Sequence, residues 1–212
     1  MFSRLALSAA LTAAVALLPA GADAQTPKKG GELRFAVSAE PPDYDCHAAT
    51  SFAFIHPVRP HYNTLLKFDP ANYPKVVGDL AESWEQSADG LTYTFKLKKN
   101  VKFHDGTPMT SEDVKASYER IRNPQGGARS IRKAAYEDIE SIETPDEYTV
   151  VFKLKAPNAS MLTNFASPWD CIYSAAKLKE DPKFPERNIL GTGPFKFVEH
   201  AAGSHWVGER FE

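Results

Sequence analysis

Residues 80–120 constrain the fold more than any other part of the chain, because their apolar residues follow a strand period on both sides of a tight turn. The turn is Ser87-Ala88-Asp89-Gly90. The apolar residues that alternate with polar ones around it are Trp84, Leu91, Tyr93, Phe95 and Leu97. Period two on either side of an Asp-Gly pair is typical of a β-hairpin with one buried face.

A helix start follows this hairpin. Asp105-Gly106 and Pro108 end a short extended segment, and Thr110 or Ser111 then stands three residues before an acidic side chain. The apolar positions beyond it are Val114, Ala116, Tyr118 and Ile121. This pattern predicts a capped amphipathic helix, and both the hairpin and the helix indicate scaffold rather than chemistry.

The same stretch resembles the hallmark region of the family 5 extracellular solute-binding proteins, the oligopeptide, dipeptide and nickel receptors of bacterial ABC importers. The segments that match the family in order and spacing are Leu80 to Trp84, Asp89 to Phe95, Val101 to Pro108 and Glu112 to Val114. Tyr62 to Phe68 and Gly191 to Phe197 match it as well. The resemblance implies an α/β fold of the periplasmic binding protein type II kind, with a partial first lobe and an inserted small α+β subdomain.

The resemblance also implies a domain organisation. Residues 25–64 and 189–212 are expected to form part of the core sheet of lobe I, and residues 65–188 its inserted subdomain. The family's chain is more than twice as long, and a strand expected over Ser204 to Phe211 lies at the end of this sequence. We therefore expect a truncated chain in which lobe II is absent.

The N-terminus predicts the compartment. Residues 1–24 combine a basic start at Arg4, an apolar run from Leu5 to Leu18 and a small-x-small site at Ala22-Asp23-Ala24, as in a secretory signal peptide. The run is shorter than the ~20 residues that span a bilayer, so no permanent membrane insertion is expected. Gln25 follows the predicted cut, which argues against a lipid anchor. A periplasmic protein is the preferred interpretation, with an uncleaved N-terminal anchor as the alternative.

The charge balance argues against nucleic acid as a partner. The formal net charge is −2, and removing residues 1–24 takes away one charge of each sign, Arg4 and Asp23. Nucleic-acid binding needs a clustered positive field. One basic cluster surrounds Asn123-Pro124-Gln125-Gly126-Gly127, and it comprises Arg120, Arg122, Arg129, Arg132 and Lys133. We expect a solvated loop there, the alternative being a contact to an anionic ligand or to the membrane partner.

The chain has two cysteines, Cys46 and Cys171. In an oxidising compartment two cysteines often pair, and neither belongs to a CxxC or CxxH pattern that would favour zinc. A disulfide between them is expected. Because the loop it closes is long, the chain-entropy model gives an upper value of ~4–5 kcal/mol for its stabilising effect.

The remaining patterns predict further elements along one α/β unit. A first strand is expected over Glu32 to Val37, and a second hairpin is expected around Thr144-Pro145-Asp146-Glu147. The predicted helical segments are Ala48 to Tyr62, Ile131 to Tyr136 and Asn158 to Ala166.

The resemblance implies a receptor, not an enzyme, that captures a small solute between two lobes and delivers it to ABC transporter permease subunits. A peptide is the leading solute because peptides are the commonest in the family, and the full-length protein is expected to be a monomer without a cofactor. The segments implied to face the cleft are Ala49 to Phe54 and Ser167 to Ile172. The candidate ligand contacts within them are Thr50, Ser51, Phe52, Trp169 and Asp170. If Cys46 pairs with Cys171, the disulfide ties these two segments together.

Three alternatives remain open. A metal site at His47, His56 and His61 lacks an acidic ligand at a fixed offset, so core or surface histidines are the preferred interpretation. An exported hydrolase lacks a recognisable serine motif. The chain can also be a non-binding fragment or an interaction module, for which an exposed sheet edge would favour association.

Overall fold

The computed structural model of the chain describes residues 30–212. The chain divides into two units between Phe35 and Ala36. Residues 30–35 are exposed and irregular. The signal peptide predicted for residues 1–24 lies outside the described residues.

The prediction of a first strand over Glu32 to Val37 is wrong. These residues form no strand, and Leu33 and Phe35 are 83% and 62% exposed. Alternation of apolar and polar residues produces a strand only when a neighbouring strand supplies hydrogen bonds and one face is covered. Within residues 30–212, no strand is paired with this segment.

The described helices and strands are mostly short, and consecutive strands pair as hairpins. The helices are α1 (Phe52–Val58), α2 (Ser111–Arg122), α3 (Met161–Asn164), α4 (Ala175–Glu180) and α5 (Phe184–Arg187), with 3₁₀ turns at Arg59–His61 and Lys133–Tyr136. The strands are β1 (Leu66–Phe68), β2 (Val76–Gly78), β3 (Ala81–Gln86), β4 (Thr92–Leu97), β5 (Ile139–Asp146), β6 (Thr149–Leu154), β7 (Phe195–Ala201) and β8 (His205–Arg210).

The main sheet is antiparallel with the strand order β3-β4-β6-β5. The β3–β4 hairpin confirms the first predicted hairpin, and Gly90 takes the left-handed conformation of its turn with φ +73°. Tyr93 lies opposite Phe152, and Phe95 lies opposite Val150. The sheet therefore presents one row of apolar side chains to a common core.

Helix α2 covers that face of the sheet. Val114, Tyr118 and Ile121 lie one turn apart on one side of the helix and are fully buried. The ring of Phe165 packs at the centre of this core, edge-to-face with Phe95 at 5.1 Å between centroids. The predicted helix start is confirmed, because the carboxylate of Asp113 accepts hydrogen bonds from the backbone N–H and hydroxyl groups of Thr110.

A smaller second core lies beside α1. Its buried members are Cys46, Phe54, Val58, Tyr62, Cys171 and Tyr173. Behind it, Gly193 lies so close to the 3₁₀ turn that a Cβ atom there would collide with the backbone of residues 60–62. The β7–β8 hairpin contacts the same turn, since the indole N–H of Trp206 donates to Nε2 of His61 at 2.9 Å.

Other predicted elements exist but are shorter or shifted. The second hairpin is confirmed as β5–β6, although β5 continues through Asp146 and the turn lies at residues 147–148. The segment 131–136 forms only a 3₁₀ turn, and 158–166 contains only one α-helical turn. Strand β8 occupies the predicted Ser204 to Phe211 segment. The boundaries of the inserted subdomain at residues 65 and 188 stay predictions.

Candidate functional site

A disulfide between Cys46 and Cys171 joins the two segments that were expected to face a ligand. The two Cα atoms are 6.0 Å apart, and both residues are fully buried. Cys46 precedes Thr50 to Phe52 by a few residues, and Cys171 directly follows Trp169 and Asp170. The disulfide therefore links the backbone segment that carries Thr50, Ser51 and Phe52 to the segment that carries Trp169 and Asp170.

A buried ionic network supports the first segment from below. Both oxygens of the Asp45 carboxylate accept from the Arg120 guanidinium, at 3.0 and 2.7 Å. The same guanidinium donates to Nδ1 of His47 at 3.0 Å, and the other ring nitrogen of His47 donates to the carbonyl of Cys171. Burial lowers the pKa of His47 to about 3. His47 is therefore neutral at neutral pH and links the two segments by hydrogen bonds.

Tyr173 adds a second polar link. Its hydroxyl group donates to the Asp45 carboxylate at 3.2 Å and accepts from the backbone N–H of Cys46 at 2.8 Å. Its own backbone N–H donates to the hydroxyl of Ser117 on α2. Because every partner is buried, these bonds form in a low-dielectric interior and fix the segment rigidly.

Arg132 and Trp169 form the next layer. The guanidinium of Arg132 lies over the indole ring of Trp169 at 4.9 Å from its centroid. It also donates to the carbonyl oxygens of Cys46, His47 and Ala49, at 3.3, 3.3 and 2.8 Å. Trp169 is half-buried and packs against Phe54, with 5.9 Å between ring centroids.

The outermost residues of this region are Thr50, Ser51 and Phe52, all exposed. Phe52 is 75% exposed, and its ring stacks on that of His56 at 5.5 Å. We call the set Thr50, Ser51, Phe52 and Trp169 the candidate binding surface. It offers two aromatic faces and two hydroxyl groups on a rigid base, a combination suited to an apolar side chain and a polar backbone.

Asp170 does not reach this surface. It is fully buried, and one carboxylate oxygen accepts from the hydroxyl group of Tyr136 while the other, Oδ1, has no protein partner. Burial raises the pKa of Asp170 to about 7. The structure thus places the Asp170 side chain in the interior, where it accepts a hydrogen bond from Tyr136, and its role as a ligand contact stays a prediction.

A shallow groove runs alongside α1, with a volume of about 460 Å³. Its charged side chains are joined at Asp79, which accepts from Arg59 at 3.3 Å, Lys67 at 3.3 Å and Asn63 at 3.0 Å. The remaining lining residues are Ile55, His56, Pro60, Tyr62 and Pro194. Because Asp79 already has several donors, the groove presents no free carboxylate to a ligand.

The basic cluster around residues 123–127 is not a solvated loop throughout. Arg120 and Arg132 turn inward, to Asp45 and to the carbonyls of residues 46–49. Arg129 and Lys133 match the expectation, since both are exposed, and Arg129 pairs with Asp43 at the surface. No sequence signal marks the two inward arginines, because Asp45 is 75 residues from Arg120, and the carbonyl groups of Cys46 and Ala49 are 86 and 83 residues from Arg132.

Metal and hydrolase chemistry find limited support. Among residues 30–212, no group of three His, Cys, Asp or Glu side chains is placed to hold a metal ion. One arrangement missed from the sequence is Ser204, whose hydroxyl group lies 2.8 Å from Nδ1 of His205, while Nε2 of His205 lies 3.0 Å from Glu199. All three are exposed on the β7–β8 hairpin. A triad normally works in a site that excludes water and stabilises an oxyanion, which an exposed hairpin does not provide.

Comparison with known proteins gives a consistent result. The sequence model described as "Bacterial extracellular solute-binding proteins, family 5 Middle" matches residues 75–212. The Di/tripeptide-binding protein 2 of Pseudomonas aeruginosa is 35% identical over 90% of this chain, which covers 40% of that protein.

Two solved structures are similar to this chain. AgaA of A. tumefaciens R10, in complex with agropinic acid, has a TM-score of 0.74 and 36% identity over 82% of this chain and 34% of its own. DppA of Helicobacter pylori, in complex with the peptide STSA, has a TM-score of 0.72 and 29% identity over 82% of this chain and 38% of its own. The predicted α/β periplasmic binding protein fold is confirmed, and this chain spans less than half the length of these relatives.

None of the helices within residues 30–212 is long and apolar enough to cross a bilayer.

Proposed function

The chain belongs to the family 5 bacterial extracellular solute-binding proteins, and we propose that it contributes the first half of a peptide-binding site in an ABC importer receptor. The proposed ligand is a di- or tripeptide. The proposed contacts are Thr50, Ser51, Phe52 and Trp169, with Asp170 behind them.

The observation that carries this proposal is an exposed aromatic surface on a covalently fixed base. Phe52 is 75% exposed, so its ring is accessible to a ligand. The Cys46–Cys171 disulfide and the Asp45–Arg120 pair hold its backbone in place without a ligand. A rigid surface loses little entropy on binding, which favours affinity for a small solute. The similarity to a di/tripeptide-binding protein favours peptides within the family.

Titration calorimetry of the full-length protein tests the proposal. The panel should contain di- and tripeptides with apolar and with charged side chains, and agropinic acid as a solute of different chemistry. Micromolar or tighter binding of at least one peptide is expected, which corresponds to about −8 kcal/mol or better. Binding of agropinic acid with no response to any peptide would overturn the peptide assignment.

We also propose export by the signal peptide at residues 1–24 and delivery of the solute to permease subunits in the periplasm. Cell fractionation should find a protein that starts near Gln25 in the periplasmic fraction. Cross-linking to the permease should depend on bound solute if delivery follows lobe closure. A protein that retains residues 1–24 in the membrane fraction would contradict the export route.

Hydrolysis is the second function to test, because Ser204, His205 and Glu199 are aligned by hydrogen bonds. We expect no turnover of ester or peptide substrates. Turnover that the Ser204→Ala substitution abolishes would replace the receptor proposal with a hydrolase.

A further inference from the structure

We infer that Arg132 is a positioning residue for ligand binding, which sets the distance between the two halves of the candidate binding surface. One half is Thr50 to Phe52, and the other is Trp169. The inference deepens the proposed function and rests on it, since it assigns a role within the same surface to a residue that would not touch the ligand.

The first observation is that one guanidinium group contacts both halves. On one side it donates to the carbonyl oxygens of Cys46, His47 and Ala49, the last of which directly precedes Thr50. On the other side it lies 4.9 Å from the centroid of the Trp169 ring. Any movement of the residue 46–49 turn relative to Trp169 must break one of these two sets of contacts.

The second observation is that the contacts require the shape of arginine. The planar guanidinium can stack on an indole ring while its N–H groups donate outward in the same plane. A lysine ammonium keeps the charge but is a compact group, and it cannot donate to three carbonyl oxygens while also covering the ring. The backbone N–H of Ile131 donates to the His47 carbonyl as well. The main chain next to Arg132 is therefore also bonded to the residue 46–49 turn.

The third observation concerns charge. Within residues 30–212, no carboxylate forms an ion pair with Arg132, and burial lowers the pKa of its guanidinium. Removing part of a cation from water without an ion-pair partner costs free energy. Stability alone therefore does not account for a half-buried guanidinium held by carbonyl oxygens and a ring. This arrangement is well suited to fixing geometry, because carbonyl oxygens and an aromatic face prescribe both the position and the plane of the guanidinium.

The experiment compares Arg132→Lys with Arg122→Lys in the full-length protein. Arg122 is a matched control, because it is a half-buried arginine of the same cluster that donates to one carbonyl, that of Ile139, and to Glu119. For each variant, we would measure the melting temperature, the affinity for the best-bound peptide of the panel, and hydrogen exchange of residues 46–52 in the ligand-free protein.

We expect Arg132→Lys to bind the peptide about tenfold more weakly, as the loss of a desolvated cation–π stack and its geometry suggests. Exchange at residues 46–52 should become faster, and the melting temperature should match that of Arg122→Lys. In a Trp169→Leu background, Arg132→Lys should weaken binding by a smaller factor, because the two residues act on the same surface.

Unchanged affinity and unchanged exchange in Arg132→Lys would overturn the inference. A lower melting temperature with unchanged affinity would also overturn it, since that result describes a purely structural residue. If no peptide of the panel binds the wild-type protein, the proposed function fails separately. In that case hydrogen exchange at residues 46–52 alone decides the inference, and an exchange rate in Arg132→Lys equal to that of the wild type counts against it.

Discussion

Asp45 and Arg120 form a two-point ion pair although 75 residues separate them in the chain. The side chains are 0% and 5% exposed, and the pair lies between helix α2 and the turn that carries Cys46 and His47. The guanidinium also donates to the carbonyl of Pro182 at 3.1 Å. One residue of α2 therefore fixes two segments that approach it from opposite ends of the sequence.

Arg120→Met is expected to destabilise the protein by about 3–5 kcal/mol, because it leaves the buried Asp45 carboxylate without its counter-ion. Urea unfolding at neutral pH measures the change. The matched control is Arg129→Met, which removes a surface pair with Asp43 of the same 2.7 Å separation. That variant should cost at most about 1 kcal/mol. Equal losses in the two variants would show that the buried pair has no special role.

The disulfide makes a separate prediction. Replacing Cys46 and Cys171 together by alanine should lower the free energy of unfolding by up to about 4–5 kcal/mol, since the bond closes a loop of 125 residues. The melting temperature of the wild-type protein should fall under reducing conditions, whereas that of the double variant should not change. Thiol titration of the denatured, unreduced periplasmic protein should find no free thiol, and two free thiols would contradict the bond.

The sequence predicted the hairpins and the start of α2 because their determinants are local. Gly90 acts within the hairpin turn that contains it. Thr110 and Asp113, which bond at the start of α2, are three residues apart. The inward roles of Arg120 and Arg132 could not be predicted, because a basic cluster beside a Pro-Gly loop has the same composition whether it is solvated or buried. The strand expected over Glu32 to Val37 failed for a related reason, since its alternation carries no information about a pairing partner.

Phe52→Ala should weaken binding of the best-bound peptide about tenfold or more while leaving stability almost unchanged. The ring is 75% exposed, so its removal deletes ligand contact but little folded-state packing. Titration calorimetry measures the affinity, and thermal unfolding measures the stability.

Tyr73→Ala is the matched control for this substitution, because Tyr73 is also 75% exposed but lies between β1 and β2, outside the candidate binding surface. It should not alter peptide affinity. If the two variants lose affinity equally, the peptide adheres to exposed aromatic rings in general. If neither loses affinity, Phe52 is not a ligand contact.

Asp170 predicts an unusual pH dependence of stability. Its pKa in the folded protein is about 7, whereas an aspartate in an unfolded chain titrates near 4. Between these values the folded state binds more protons than the unfolded state, so this group makes stability fall as the pH rises from about 4 to 7.

The Asp170→Asn variant lacks this titration but keeps an oxygen that can accept from Tyr136. The difference in unfolding free energy between variant and wild type should move in favour of the variant from pH 4.5 to 7 and stay constant above pH 7. His47 and His61 act in the opposite sense, because burial lowers their pKa values to about 3 and about 4. Both histidines are present in each protein, so their contributions cancel in the difference.

Asp89→Asn, at an exposed carboxylate whose pKa is lowered by its hydrogen bond from Ser87, is the control and should give a flat difference over the same range. A flat difference for Asp170→Asn as well would mean that the buried carboxyl group is ionised throughout, with Arg132 compensating its charge.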